Sequence, residues 1–191
     1  MTASTPPQAL IHSWPLPYES ALESRPLSQI DLVVIHCTEL PDLAMARDYG
    51  ERVLHNSGTG NSGHYYLDRD GSIHAFVAPQ HIAHHTRGYN PRSMGIELVN
   101  IGRYPHWYDA QHQAMTEAYT DAQIVALITL LAFLRHELPN LQFIAGHEDL
   151  DTTLVAASND ARISVTRKCD PGPLFPWPEV LNASRLKRLL L

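Results

Sequence analysis

Cysteine is scarce: the 191-residue chain holds two, Cys37 and Cys169. That excludes a small disulfide-stapled scaffold, and both are read as free thiols. Charge is thin as well, at 18% of residues, below the roughly 25% of an average globular domain. What charge there is leans acidic, with a formal net charge of -6 and a pI near 6.0. A global basic footprint for nucleic acid is therefore excluded. Long apolar runs are missing too. The longest, Ile124 to Leu134, is broken by Thr129 and is too short to span a bilayer. The opening MTASTPPQAL has no basic start and no apolar stretch before Ser13, so the expectation is a cytoplasmic chain with no membrane partner.

What is present is 44% hydrophobic residues, enough at this length for one domain with a substantial core. Residues 1–29 carry Pro6, Pro7, Pro15, Pro17 and Pro26 and read as an extended arm. Residues 30–191 are then the main domain. Ile30–His36 is a short apolar run suited to a buried strand. A helical pattern follows over 42–55. Two β-prone runs, His64–Leu67 and Ile73–Val77, flank Asp68-Arg69-Asp70-Gly71 and predict a hairpin. Residues 78–93 are irregular, and Met94–Val99 is another strand. The clearest helix runs from Asp121 to Glu137, with Thr120 and Gln123 as a capping box and Pro139 as its stop. Phe143–Ala145 is a short strand, 148–167 a polar loop, and Glu179–Leu190 a final helix. This order predicts a single α/β domain with a mixed central β-sheet flanked by helices.

Twelve histidines are present, more than this length needs. His36 and His147 each end a short strand. Two such residues are either satisfied core histidines or ligands that converge when their strands are neighbours. Asp170 would complete two nitrogens, one carboxylate oxygen and an open position, the pattern of a hydrolytic zinc site. Glu97 lies in the mostly apolar GIELV, where a carboxylate needs a partner or a task, and a general base is one such task. The other reading is a residue on an exposed strand face. Lys168 lies two residues before Asp170, on the same side of an extended segment, and could stabilise an oxyanion; alone it reads as a surface lysine. Glu148 is a rival carboxylate, disfavoured because it alternates away from His147, and Cys169 is a rival ligand, since thiolates bind zinc well. Trp107 could stack on a sugar ring or anchor its loop. Arg87 could meet a peptide carboxylate or stay solvated.

The segments VVIHCTE, GHYYLDRDG, IAHHTRGYN, SMGIELVN, AGHED and RKCDPG occur in the order found in the N-acetylmuramoyl-L-alanine amidase 2 family, across residues 30–178. The chain's RKCDPG resembles the AmpD-type version of the motif, which uses aspartate as the third ligand. The family also holds phage lysozyme-amidases and peptidoglycan recognition proteins. The resemblance implies one zinc ion on His36, His147 and Asp170, with Glu97 and Lys168 catalytic. It places His85 and Asn90 along the substrate groove. The implied reaction is hydrolysis of the amide between N-acetylmuramic acid, or its anhydro form, and L-alanine. The implied substrate is a muropeptide or peptidoglycan, and a monomer is favoured. A non-catalytic peptidoglycan-binding module and a zinc peptidase on another wall peptide are the alternatives. Two departures stand out. Phage-type relatives carry tyrosine where this chain has Gly63, and about residues 150–166 look like an insertion at the rim of the site.

Overall fold

The computed structural model describes residues 11–190. In chain order the elements are β1 (Ile11–Ser13), β2 (Leu32–Cys37), α1 (Leu43–Glu51), β3 (Tyr65–Leu67), β4 (Ile73–Ala75) and β5 (Ser93–Leu98). There follow α2 (Asp121–Glu137), β6 (Phe143–Gly146), α3 (His147–Leu150), β7 (Leu154–Ala156), β8 (Ser164–Thr166), α4 (Trp177–Ser184) and β9 (Lys187–Arg188). Seven strands form one mixed sheet in the order β1-β4-β3-β5-β2-β6-β9. Only β3 and β4 pair antiparallel in it, as the Asp-Gly hairpin demands. The α/β class and mixed sheet expected from the sequence are thus observed. No helix among the described residues is long and apolar enough to cross a membrane.

The sheet's two faces follow from alternation along its strands. Val33, Ile35, Met94, Ile96, Leu98, Tyr65 and Leu67 point one way and pack against Ile124, Leu127, Leu131 and Leu134 of α2. The capping box of α2 is formed as predicted, with Thr120 Oγ1 accepting from Gln123 N and Gln123 Oε1 from Thr120 N, both at 3.1 Å. The buried Gln123 side chain also donates to Val99 O at 2.9 Å. This ties the helix start to the end of β5. The other face presents Val34, His36, Gly95, Glu97 and Tyr66.

Four expectations change. Residues 11–13 pair with β4 as an edge strand, and Arg25 is buried among backbone carbonyls. Its guanidinium donates to Pro79 O at 3.0 Å, Asn90 O at 2.8 Å and Ser93 O at 2.8 Å, fixing the irregular 79–92 segment. Helix α1 ends at Glu51, short of 55, because the chain folds back: the amides of Leu54 and His55 both donate to Thr59 O at 2.9 Å. The polar 148–167 segment contains α3 and the β7–β8 hairpin, whose three-residue strands are too short to show a period. The last helix stops at Ser184, capped by Arg185 in the left-handed region (φ 56°). The remaining residues of the expected helix include β9, paired with β6. An Arg188–Asp149 ion pair at 3.0 Å and the Arg188 guanidinium over Trp177 at 3.9 Å hold that strand in place.

Candidate active site

Parallel register builds the site. In β2 and β5, His36 is paired with Glu97, and in β3 and β5, Tyr66 is paired with Glu97. In β2 and β6, Ile35 is paired with Gly146, so His147 follows at the next level. Tyr66, Glu97, His36 and His147 therefore form one row at the carboxyl ends of four adjacent strands. This is where open α/β sheets place ligands. Asp170 arrives from the segment after β8. His36, His147 and Asp170 are each 2% exposed, and one potential ligand atom from each lies within 4.8 Å of the others. Among the described residues this is the one such group of three. Cys169 stays outside it, with its thiol 3.9 Å from Thr166 O.

The neighbours of His36 select its tautomer. Ser93 Oγ donates to Tyr89 O (2.8 Å), His85 Nε2 donates to Ser93 Oγ (3.2 Å), and His36 Nε2 donates to His85 Nδ1 (3.0 Å). That chain leaves Nδ1 of His36 as a bare lone pair, 2.8 Å from Asp170 Oδ2. Two lone-pair atoms this close need a cation or a proton between them. Asp170 Oδ1 and His147 Nε2 are buried with no partner at all. Unpartnered buried polar atoms of this kind are expected where an ion or water belongs. The donor set is two imidazoles and one carboxylate, which fits zinc. Burial and the charge of His147 push His36 down to about 4, so it stays neutral, the state a ligand needs. Burial pushes Asp170 up, but the neighbouring His147, and after it Lys168, outweigh it and hold its carboxyl well below the usual range.

A cavity of about 690 Å³ opens over this row. Glu97, Lys168, His85, Arg87, Asn90 and Trp107 all line it. Burial, then the charge of Asp170, pushes Glu97 well above the ordinary carboxylate range, with Lys168 pulling the other way. Glu148 does not line the cavity. It sits in the first turn of α3, where its amide donates to Asp170 O at 2.9 Å. His85 lines the cavity but its ring nitrogens are engaged by His36, Thr86 and Ser93. Asn90 Oδ1 accepts from the amides of Thr86 (2.7 Å) and His85 (3.1 Å), so it shapes its loop while reaching the cavity. Trp107 Nε1 donates to Glu39 O at 3.1 Å, leaving the ring against the groove.

Sequence reasoning missed several contributors. Gly95 is one: a Cβ there would lie 2.7 Å from His85 Cγ, so the glycine lets the imidazole lie flat on β5. Gly63 is another: its Cβ would lie 2.8 Å from Glu97 Cγ. Gly63 was noted only as a missing tyrosine, yet its bare α-carbon is what admits the glutamate. Tyr66, Thr86, His55 and Asn61 also reach the cavity.

The comparisons agree with this geometry. The sequence profile described as N-acetylmuramoyl-L-alanine amidase (Amidase_2) matches residues 26–173. No curated protein sequence matches the chain. Among solved structures, the N-acetylmuramoyl-L-alanine amidase LysC from Clostridium intestinale is 21% identical with a TM-score of 0.64, over 93% of this chain and 98% of that one. An AmpD structure is 23% identical with a TM-score of 0.63, over 96% and 99%. AmiD from E. coli, in complex with anhydro-N-acetylmuramic acid-L-Ala-D-gamma-Glu-L-Lys, is 24% identical with a TM-score of 0.58, over 81% and 57%. Likeness at these identities establishes the fold. The profile covers most of the chain and contains the whole row described above together with Lys168 and Asp170. On that ground the chain belongs to the N-acetylmuramoyl-L-alanine amidase family.

Proposed function

We propose that this chain is a zinc-dependent amidase that cleaves the bond between N-acetylmuramic acid, or its anhydro form, and L-alanine in muropeptides or peptidoglycan. One observation carries the reading above the others. The buried His36, His147 and Asp170 each bring a potential ligand atom within 4.8 Å of the others, two of the three carry a buried polar atom with no partner, and all three lie beside a half-buried glutamate that lines the same cavity. The AmiD complex, whose ligand contains that bond, supports the substrate class.

In this reading His36, His147 and Asp170 hold the zinc ion. When bound, it supplies Lewis acidity that lowers the pKa of water and polarises a carbonyl oxygen. The Glu97 carboxylate takes the proton of the attacking water and returns it to the departing amine. The Lys168 ammonium faces the negative charge that develops on the carbonyl oxygen. Trp107, Arg87 and Asn90 orient the sugar and stem peptide from the groove walls. The unit that does this takes in part of the expected 1–29 arm as well as 30–190, since β1 joins the sheet and Leu16, Tyr18 and Leu22 are buried; residues 1–10 lie outside the described residues, and about 150–166 are read as an insertion.

Mass spectrometry of products from a defined muropeptide tests the whole reading. The expected products are the free sugar and a peptide with a new L-alanine amine. Binding without cleavage, or cleavage within the stem peptide, would replace this reading by one of its rivals.

His85 gives a second test. Partners that orient a ligating histidine typically set metal affinity by 10–100-fold. His85→Ala removes the acceptor for His36 Nε2. Zinc affinity of the metal-free protein is expected to fall by about 10–100-fold on that basis. Competition against a chromophoric chelator measures it, and an unchanged affinity would remove His85 from this role.

A further inference from the structure

A second buried polar cluster stands beside the site, built by residues to which nothing above gives a role. Glu39 lies three positions after His36, and Arg103 lies in the long connection between β5 and α2. The Arg103 side chain is 1% exposed and that of Glu39 10%. Their contact is bidentate: Arg103 Nε donates to Glu39 Oε1 at 2.7 Å and an Arg103 terminal nitrogen to Glu39 Oε2 at 2.9 Å. Arg103 N also donates to Glu39 Oε1 at 3.2 Å. The backbone is shaped for this contact. Glu39 sits in the left-handed region (φ 49°), and Gly102 does too (φ 52°). A Cβ at 102 would lie 2.6 Å from Glu39 Cγ.

The remaining donors of Arg103 reach across the groove wall. It donates to Thr166 O at 3.0 Å and to Arg167 O at 3.3 Å, the two residues immediately before Lys168. It also donates to Gln113 Oε1 at 3.1 Å. The Glu39 carbonyl meanwhile accepts from Trp107 Nε1. One ion pair thus ties together the loop leaving His36, the loop carrying Trp107, and the segment delivering Lys168 and Asp170.

We propose that Glu39 and Arg103 form a latch that positions the Lys168–Asp170 segment against His36, so that the third metal ligand and the lysine arrive in register. Both are positioning residues, and the idea rests on the zinc amidase reading for its functional consequence. Five side-chain donors in a rigid fork suit arginine to this task, because two carbonyls and one carboxylate are gripped at once. The latch also accounts for how a segment separated from His147 by a hairpin insertion is still fixed at its far end.

Glu39→Gln/Arg103→Met tests this without leaving an unpaired buried charge, since such pairs can often be exchanged for neutral groups without losing the fold. Leu131→Ala, on the opposite face of the sheet, is the stability control. Two readouts are taken on the full chain. Amide hydrogen exchange of the metal-free protein is expected to rise across 164–170 in the double variant and not in Leu131→Ala. Zinc affinity is expected to fall about tenfold or more, as it does when groups that orient ligands are lost, and turnover number with it. Arg103→Lys, which keeps the charge and loses the fork, is expected to recover only part of both.

Exchange across 164–170 and zinc affinity equal to the parent's would overturn the latch. So would an Arg103→Lys protein indistinguishable from the parent. A parent that binds no zinc strikes the amidase reading, while the exchange measurement still judges the latch itself.

Discussion

Replacing Asp170 with alanine, or stripping divalent ions with a chelator, is expected to reduce release of the stem peptide by roughly a thousandfold or more. Lewis-acid stabilisation of a developing charge is worth several kcal/mol, and each 1.36 kcal/mol is about tenfold in rate. The site is built so that nothing else can substitute. Asp170 contributes the one carboxylate of the ligand trio, and Cys169 beside it points elsewhere. His36 and His147 would remain as two neutral imidazoles, one fewer ligand than hydrolytic zinc sites use. Zinc content by elemental analysis and product mass are read on the same samples. Activity should return when zinc is restored to the chelated parent and should not return in Asp170→Ala. Full hydrolysis by a preparation shown to hold no divalent ion would end the metal argument.

Much of this site was legible before any coordinates, and the reason lies in strand geometry. His36 and His147 close short apolar runs, which is what a residue at the carboxyl end of a buried strand looks like, and Glu97 is a lone carboxylate inside one. Their convergence was not legible, because nothing local says that the strands carrying Glu97 and His147 flank the strand carrying His36. Family resemblance supplied that, and parallel register explains it. The long capped helix was readable residue by residue, since periodicity, cap and proline stop all agree over seventeen positions.

The two edge strands and the β7–β8 hairpin were hidden for the opposite reason. Strands of two or three residues have no period to detect, and each is defined by the partner it pairs with: β1 by β4, β9 by β6, and β7 and β8 by each other. The final helix was overextended because Leu189 and Leu190 continue its apolar content. Arg185 in the left-handed region ends it, and no glycine marks that stop. Second-layer residues were the hardest to find. Gly63 and Gly95 act by what they lack, so only a neighbour's position reveals them. Glu39 stood inside a quoted motif, VVIHCTE, but its partner lies 64 positions away.

Glu97 ties the chemistry to the fold most directly, and Glu97→Gln is expected to have two opposite effects. Turnover should fall by about 10²–10⁴, the usual contribution of a positioned general base, with zinc still bound. The metal-free protein should at the same time become more stable near neutral pH. Burial and the charge of Asp170 raise the folded carboxyl well above its ordinary 4.5. Below that value both folded and unfolded chains hold the proton, and the group has no effect on stability. As pH rises, the unfolded chain releases the proton first while the folded chain keeps it or pays for ionising, so stability declines up to the folded pKa. Glutamine cannot ionise and escapes that decline. The melting temperature of the variant should therefore exceed the parent's by a margin that widens as pH rises from the ordinary 4.5 toward the raised folded value. Thermal melts across that range, beside single-turnover rates on a muropeptide, separate the two effects. A variant that turns over like the parent would move the proton transfer to another group, and a margin that narrows with pH would contradict the half-buried, proton-holding glutamate.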